Sequence, residues 1–271
     1  MQFIAAMDHS GGSTGSVLER YEQEFTEENK MEKVHAMRLR MVNSPDFTSD
    51  NIWAAILYKD TVDKGMPEVL RAKGIESYLK IDRGCEESGL MKPFHTPTSN
   101  GVQELVQYAH ENDCTGTKMR SIVKTKEVLG PIVQQQFMYA TEIANAGLTP
   151  IIEPEIPIHH VDKKELEQLL FKELKMYLEH YKGGMQVILK LTIPEIANTY
   201  HSLSQHKKVR KLVGLSGGYD TDTACKKLKE NLDMSASFSR ALSEGLFADQ
   251  TEKEFNKKIS QNIKLIEGAS S

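Results

Sequence analysis

A lysine in the middle of an apolar run is the residue in this chain with the most chemistry to explain. Lys190 lies in Gln186-Val187-Ile188-Leu189-Lys190-Leu191-Thr192-Ile193-Pro194, with no charged residue beside it. Lysine is almost never fully buried unless it is paired or has a task. At its ordinary pKa of about 10.4, only about one lysine in a few thousand is a neutral amine at neutral pH. A nucleophile here therefore needs desolvation, or cations such as Lys118 and Arg120 nearby, to lower that value; a drop of about three units is worth roughly 4 kcal/mol. The other reading is a lysine that lays its stem along apolar surface and keeps its head in water. Lys190 alone does not separate the two.

Three polar-x-polar triplets weigh on that choice: Lys80-Ile81-Asp82, Lys118-Met119-Arg120 and Glu153-Pro154-Glu155. Side chains alternate along a strand, so both polar members of a triplet face the same side. A single triplet means only that charges appear where a strand meets solvent. Three in consecutive strand candidates point to a shared mouth that offers acids, bases and cations to Lys190.

Two glycine-rich segments read as anion cradles, because glycine lets backbone N–H groups come close to a phosphate. One is Leu215-Ser216-Gly217-Gly218; the other is Asp8-His9-Ser10-Gly11-Gly12-Ser13-Thr14. Arg240, in Ser237-Phe238-Ser239-Arg240, adds a fork that grips phosphate through two N–H groups. Two cradles imply a substrate with two phosphates. Against this, Ser-Gly-Gly is also an ordinary turn, hydroxyls also cap helices, and Arg240 could begin a helix in a salt bridge. Metal chemistry has less support, since the histidines include one close pair, His159-His160, and no HExxH.

The elements that must position these groups follow from hydrophobic pattern. Short apolar runs, each followed by a stretch of helical period, mark βα units. There are eight: Phe3–Met7, Ile52–Leu57, Ile75–Ile81, Thr115–Met119, Pro150–Ile152, Met185–Leu191, Val209–Leu215 and Met234–Phe238. Helices are expected over Gly101–Asn112, Pro131–Ala146 (Pro131 in the first turn), Lys163–His180, Glu195–Gln205 and Thr221–Asn231. Pro93–Asn100 reads as a loop. The pattern predicts an α/β fold, a single (β/α)8 TIM barrel over residues 1–271, with its active face at the strand C-terminal ends. A doubly wound sheet lacks the GxGxxG that would follow its first strand.

The 271 residues are 39% hydrophobic and 27% charged, enough for a sizeable core. A net charge of −4, with signs mixed along the chain, argues against a nucleic-acid partner. No apolar stretch suits a membrane span or a signal peptide. Cys85, Cys114 and Cys225 form no CxxC pair and fit a reducing, cytoplasmic setting. The expected partner is a small phosphorylated molecule, with homo-oligomerisation left open. The proposed mouth holds Lys80, Lys118, Arg120, Lys190 and Arg240 against Asp8, Asp82, Glu153 and Glu155, a local surplus of positive charge in an acidic protein.

Taken in order, these motifs resemble the class I fructose-bisphosphate aldolases, in particular their short bacterial form. Phe3-Ile4-Ala5-Ala6-Met7-Asp8 with Ser10 and Ser13 resembles the family's first-strand motif, and Lys80-Ile81-Asp82-Arg83-Gly84 is similar to its K-[VI]-D-[KR]-G. Lys118 and Arg120 match its K-x-R, Glu153 and Glu155 its E-P-E, and Lys190 its Schiff-base lysine. Ser216-Gly217-Gly218 and Ser237 to Arg240 look like its two phosphate loops. The resemblance covers essentially the whole chain.

It implies a metal-independent lyase with no cofactor, cleaving D-fructose 1,6-bisphosphate in glycolysis and gluconeogenesis. Lys190 would form the imine at C2, Glu153 would shuttle protons, Asp8 would assist at the C4 hydroxyl, and Lys118 would stabilise negative charge. Glu155 would orient Lys190 and Lys118 by ion pairing. The C1 phosphate would sit on Ser216, Gly217, Gly218 and Arg240, beside Ser237, and the C6 phosphate near Ser10, Ser13 and Lys80, with Arg120 at the same mouth. The chain departs from the animal enzymes in reading Ser237-Phe238-Ser239-Arg240 for their Ser-Tyr-Gly-Arg, in having no tyrosine after Tyr219, and in lacking their N-terminal helix. Rival readings are an aldolase for deoxyribose phosphate or tagatose bisphosphate, and a non-enzymatic binding protein on the same scaffold.

Overall fold

A computed structural model describes residues 2–10, 12–93 and 101–271, with only the backbone of Gly12 and Ser13. Its strands are β1 (Phe3–Met7), β2 (Ile52–Leu57), β3 (Glu76–Lys80), β4 (Asp82–Cys85), β5 (Met91–Pro93), β6 (Gly116–Ile122), β7 (Thr149–Glu155), β8 (Val187–Thr192), β9 (Val209–Leu215) and β10 (Met234–Phe238). Eight of them close into a barrel in the order β1-β10-β9-β8-β7-β6-β3-β2, and every neighbouring pair is parallel. These eight are the apolar runs of the sequence. Helices stand between the strands, as a parallel sheet requires. The fold is a (β/α)8 TIM barrel.

Pleating divides each strand between two cores. Residues facing outward, such as Ala5, Met119, Ile152, Leu189 and Phe238, pack in the large cluster beneath the helices. Residues facing inward form a second cluster of Ile4, Ala6, Ala54, Ile56, Tyr78, Ile151, Ile188 and Val213, all essentially buried. Two residues further along the same strands come Asp8 after Ala6, Lys80 after Tyr78, Glu153 after Ile151 and Lys190 after Ile188. The barrel is thus an apolar floor with a charged mouth. Tyr78 helps seal the floor, its hydroxyl donating to Glu76 at 2.8 Å while Arg210 reaches both.

Three expectations change. β3 ends at Lys80, and Asp82 opens an antiparallel hairpin of β4 and β5 instead of continuing the strand. Its carboxylate is buried, accepting from Arg120 N at 3.1 Å and Gly84 N at 3.0 Å, with Lys80 Nζ 3.4 Å from Oδ1. The helix expected from Pro131 begins at Lys126, so Pro131 lies inside it and costs one intrahelical hydrogen bond. The expected Glu195–Gln205 helix shrinks to His201–Ser204. Its first half is turns held by Asn198 and Asn231, Asn198 N donating to Asn231 Oδ1 at 2.8 Å. The loop expectation for Pro93–Asn100 falls mostly outside the described residues; Pro93 itself ends β5.

Among the described residues, no helix is long and apolar enough to cross a membrane. Gly116 lets β6 start where it does, since a methyl there would collide with the Thr149 carbonyl oxygen and the Tyr78 ring. Gly130, inside the Lys126–Asn145 helix, faces open space. Urea unfolding should therefore show Gly116→Ala destabilised by about 2 kcal/mol or more, whereas Gly130→Ala should gain about 0.5–1 kcal/mol from helix propensity.

Candidate active site

The charged mouth lines a cavity of about 350 Å³. Asp8, Lys80, Lys118, Arg120, Glu153, Glu155, Lys190, Ser216, Gly217, Ser237 and Arg240 all face it. Ser10 reaches it through Lys80, whose ammonium donates to Ser10 Oγ at 2.8 Å. Gly218 lies just beyond the lining, and the Ser13 side chain lies outside the described residues.

The deepest part is a chain of alternating charge. Lys118 Nζ is 2.8 Å from Asp8 Oδ2 and 2.7 Å from Glu153 Oε2, and Glu153 Oε1 is 3.3 Å from Lys190 Nζ. Lys118, Glu153 and Lys190 are almost fully buried. Glu153 Oε2 receives no aligned hydrogen bond, so the grip of Lys118 on it is Coulombic. Burial disfavours charge on Asp8, Glu153 and Lys118, and their partners outweigh it. Asp8 is held well below the usual carboxylate range by Lys118, Lys190 and Lys80, and Glu153 is lowered by Lys118, Lys190 and Arg120. Burial likewise lowers Lys118, but Asp8 and Glu153 push it above its ordinary value, so it is a fixed ammonium.

Glu155 does not orient either lysine. It accepts from Arg120 Nε at 2.7 Å. The register explains why: Arg120 stands opposite Glu153, and Glu155 stands opposite Ile122, one pleat higher. Glu155 is therefore level with the rising guanidinium of Arg120, while Lys118, opposite Ile151, lies two pleats below.

Of the polar lining residues, Ser16 and Arg20 lie outside the sequence motifs, while His9 and Ser239 lie inside them with no role assigned. Ser13, Ser16 and Arg20 are three and four apart in the Gly12–Arg20 helix, a spacing that signals one face. Arg20 and Arg240 stand close enough at the rim for Arg240, after burial, to lower the Arg20 pKa. The His9 ring meets Ser239 Oγ at 2.9 Å, and its carbonyl accepts from the buried Arg38 at 2.8 Å. The first bond joins the segment after β1 to the one after β10, and the second ties it to the Lys30–Asn43 helix. Gly217 and Gly218 take φ of +59° and +113°, a region glycine enters freely. Ile158, from the loop after β7, covers both, so a methyl on Gly217 would meet it. Among the described residues, no three His, Cys, Asp or Glu side chains converge as a metal ion would need.

His9 makes a pH prediction. Burial first, then Arg38, Arg20 and Lys80, bring its pKa down to about 4, with Asp8 pulling the other way. In the unfolded chain it titrates near 6.5. Between those values the unfolded state binds more protons, so stability is complete above about 6.5 and falls as pH drops toward 4, by up to about 3 kcal/mol. Unfolding curves across that window should lose a corresponding part of their slope in His9→Gln. An unchanged slope would show that His9 is solvated in the native state.

The family model described as class-I fructose-bisphosphate aldolase matches residues 2–182. That span includes Asp8, Lys118, Glu153 and Glu155 but stops short of Lys190 and Arg240. Among solved structures, a fructose-bisphosphate aldolase from Plasmodium falciparum, determined in complex with TRAP and a small-molecule inhibitor, aligns with a TM-score of 0.75. It is 18% identical, with 99% of this chain and 90% of that one covered. A Corynebacterium glutamicum protein aligns at a TM-score of 0.60 and 13% identity, covering 98% of this chain and 85% of its own. At such identities the likeness is one of fold; the family match is one of sequence and spans well over half of the residues. The chain belongs to the class-I fructose-bisphosphate aldolase family.

Proposed function

We propose that this protein reversibly cleaves D-fructose 1,6-bisphosphate to dihydroxyacetone phosphate and glyceraldehyde 3-phosphate through an imine on Lys190, without a metal. The observation that carries this reading is the Glu153 carboxylate, 3.3 Å from Lys190 and pinned on its other side by Lys118. Glu153 accepts the proton that Lys190 must lose to attack the C2 carbonyl. The same proton then goes to the C2 hydroxyl of the carbinolamine, which leaves as water. Asp8, kept ionised by Lys118, takes the C4 hydroxyl proton; the C3–C4 bond breaks and its electrons enter the iminium to give an enamine. Protonation of C3 and hydrolysis release the second product.

Lys118 stays cationic and opposes negative charge that builds during these steps. Glu155 holds Arg120 toward the cavity as an anion contact. Arg240 and the Ser216-Gly217-Gly218 backbone suit the C1 phosphate, with Arg20 as a second guanidinium beside Ser237 and Ser239. Lys80 and Ser10, with Ser13 on the same segment, suit the C6 phosphate. The reading includes one catalytic domain over the whole chain, a cytoplasmic setting consistent with free Cys85, Cys114 and Cys225, and a role in glycolysis or gluconeogenesis. The C4 epimer, tagatose 1,6-bisphosphate, is the competing substrate, and kinetics with both ketoses distinguishes them.

Borohydride added with dihydroxyacetone phosphate should attach label to Lys190, and Lys190→Ala should take up none. Activity should survive EDTA. Labelling at another lysine, or loss of activity on chelation, would sink the mechanism. Glu153→Gln should slow imine formation about 100-fold or more, in the usual range for a general acid–base group, while substrate affinity changes far less; equal loss of affinity with normal imine formation refutes its role as proton carrier.

A further inference from the structure

Gln136 has no place in the mechanism above, yet it is among the most enclosed polar residues of the molecule, with no exposed surface. It sits in the middle of the Lys126–Asn145 helix, outside the barrel. Its Oε1 accepts from the main-chain N–H of Glu153 at 2.8 Å, and its Nε2 donates to Ser121 Oγ at 2.9 Å. One side chain thus ties β6 to β7 where Arg120 faces Glu153 and Ser121 faces Pro154.

The opposite edge of β7 is open at the same level. Pairing between β7 and β8 includes Ile151 with Ile188 and Ile152 with Leu189 and goes no higher. Higher up, the Thr192 hydroxyl bonds both N and O of Ile156, the residue that follows β7. The gap between these points is where the Glu153 carboxylate meets the Lys190 ammonium. Opening the seam makes room for them, and the Glu153 backbone is held from the β6 side, by its pairing opposite Arg120 and by Gln136.

We infer that Gln136 is a positioning residue for the reaction: by fixing the Glu153 main chain from the β6 side, opposite the open seam, it sets the Lys118–Glu153–Lys190 spacing on which imine formation depends. This rests on the proposed role of Lys190 and Glu153. A leucine or methionine at 136 would leave the Glu153 N–H facing apolar surroundings and let β7 shift toward whatever acceptor it can find. Glutamate would keep the acceptor and the volume.

The test compares the rate of borohydride-trappable imine formation, the affinity for a hexitol 1,6-bisphosphate, and the thermal midpoint. Gln136→Leu and Gln136→Met should form the imine at least tenfold more slowly than the parent enzyme, with affinity within twofold. Gln136→Glu should recover the rate to within threefold. Phe137→Leu, next on the same helix and buried in the outer core, should lower the midpoint without slowing the imine. Normal imine rates in both apolar variants overturn the inference, as does equal slowing in Phe137→Leu at the same loss of midpoint. If Gln136→Leu does not fold, the methionine variant decides. Absence of label on Lys190 in the parent enzyme would mark failure of the proposed chemistry itself, a result distinct from failure of the Gln136 role.

Discussion

A carboxylate removed from water and shared between two ammonium groups is the constraint around which the rest of this protein is arranged. Glu153 is 3% exposed, and leaving a charge so buried without partners would cost several kcal/mol. The chain Asp8, Lys118, Glu153, Lys190 alternates in sign and closes to neutrality without help from solvent. Each member comes from a different barrel strand or strand end, so neutrality holds only while β1, β6, β7 and β8 keep their registers. A slip of one residue in any of them would turn a charge into the helical layer and an aliphatic side chain into the mouth.

Backbone economy around the site follows from that. Asp82 leaves the mouth to cap the Arg120 and Gly84 amides, steadying the hairpin beside β6. Arg38 stands behind the loop after β1, holding the His9 carbonyl and the Thr61 hydroxyl, while Asp8 and Asp60 offset its charge from a distance. Ile158 lies on Gly217 and Gly218, so the segment following β7 also shapes the glycine turn after β9.

Period-two alternation made the barrel and the inward direction of Lys118, Glu153 and Lys190 readable from sequence, because parity along a strand is a local property. Height within the mouth is not local. Whether Glu155 meets Lys190 or Arg120 depends on how β6, β7 and β8 are staggered, and those strands are some thirty residues apart. Asp82 satisfied the parity rule and still left the strand, since its carboxylate found backbone donors nearby. Arg20 was within reach through its helical spacing from Ser13 and Ser16. His9 and Gln136 were not: their meaning lies in partners more than 200 and about 17 residues away, across contacts no single-segment pattern encodes.

The apolar floor of Ile4, Ala54, Tyr78, Ile151, Ile188 and Val213 has a further consequence. It fills the barrel below Lys190, so that among the described residues the cavity lies at the mouth. A substrate large enough to span both anion cradles would stopper that opening. From seating to release, the protons available would be those already held by the buried groups and the substrate's own hydroxyls, a closed inventory. One carboxylate used first to take a proton and then to return it is the arrangement such isolation favours.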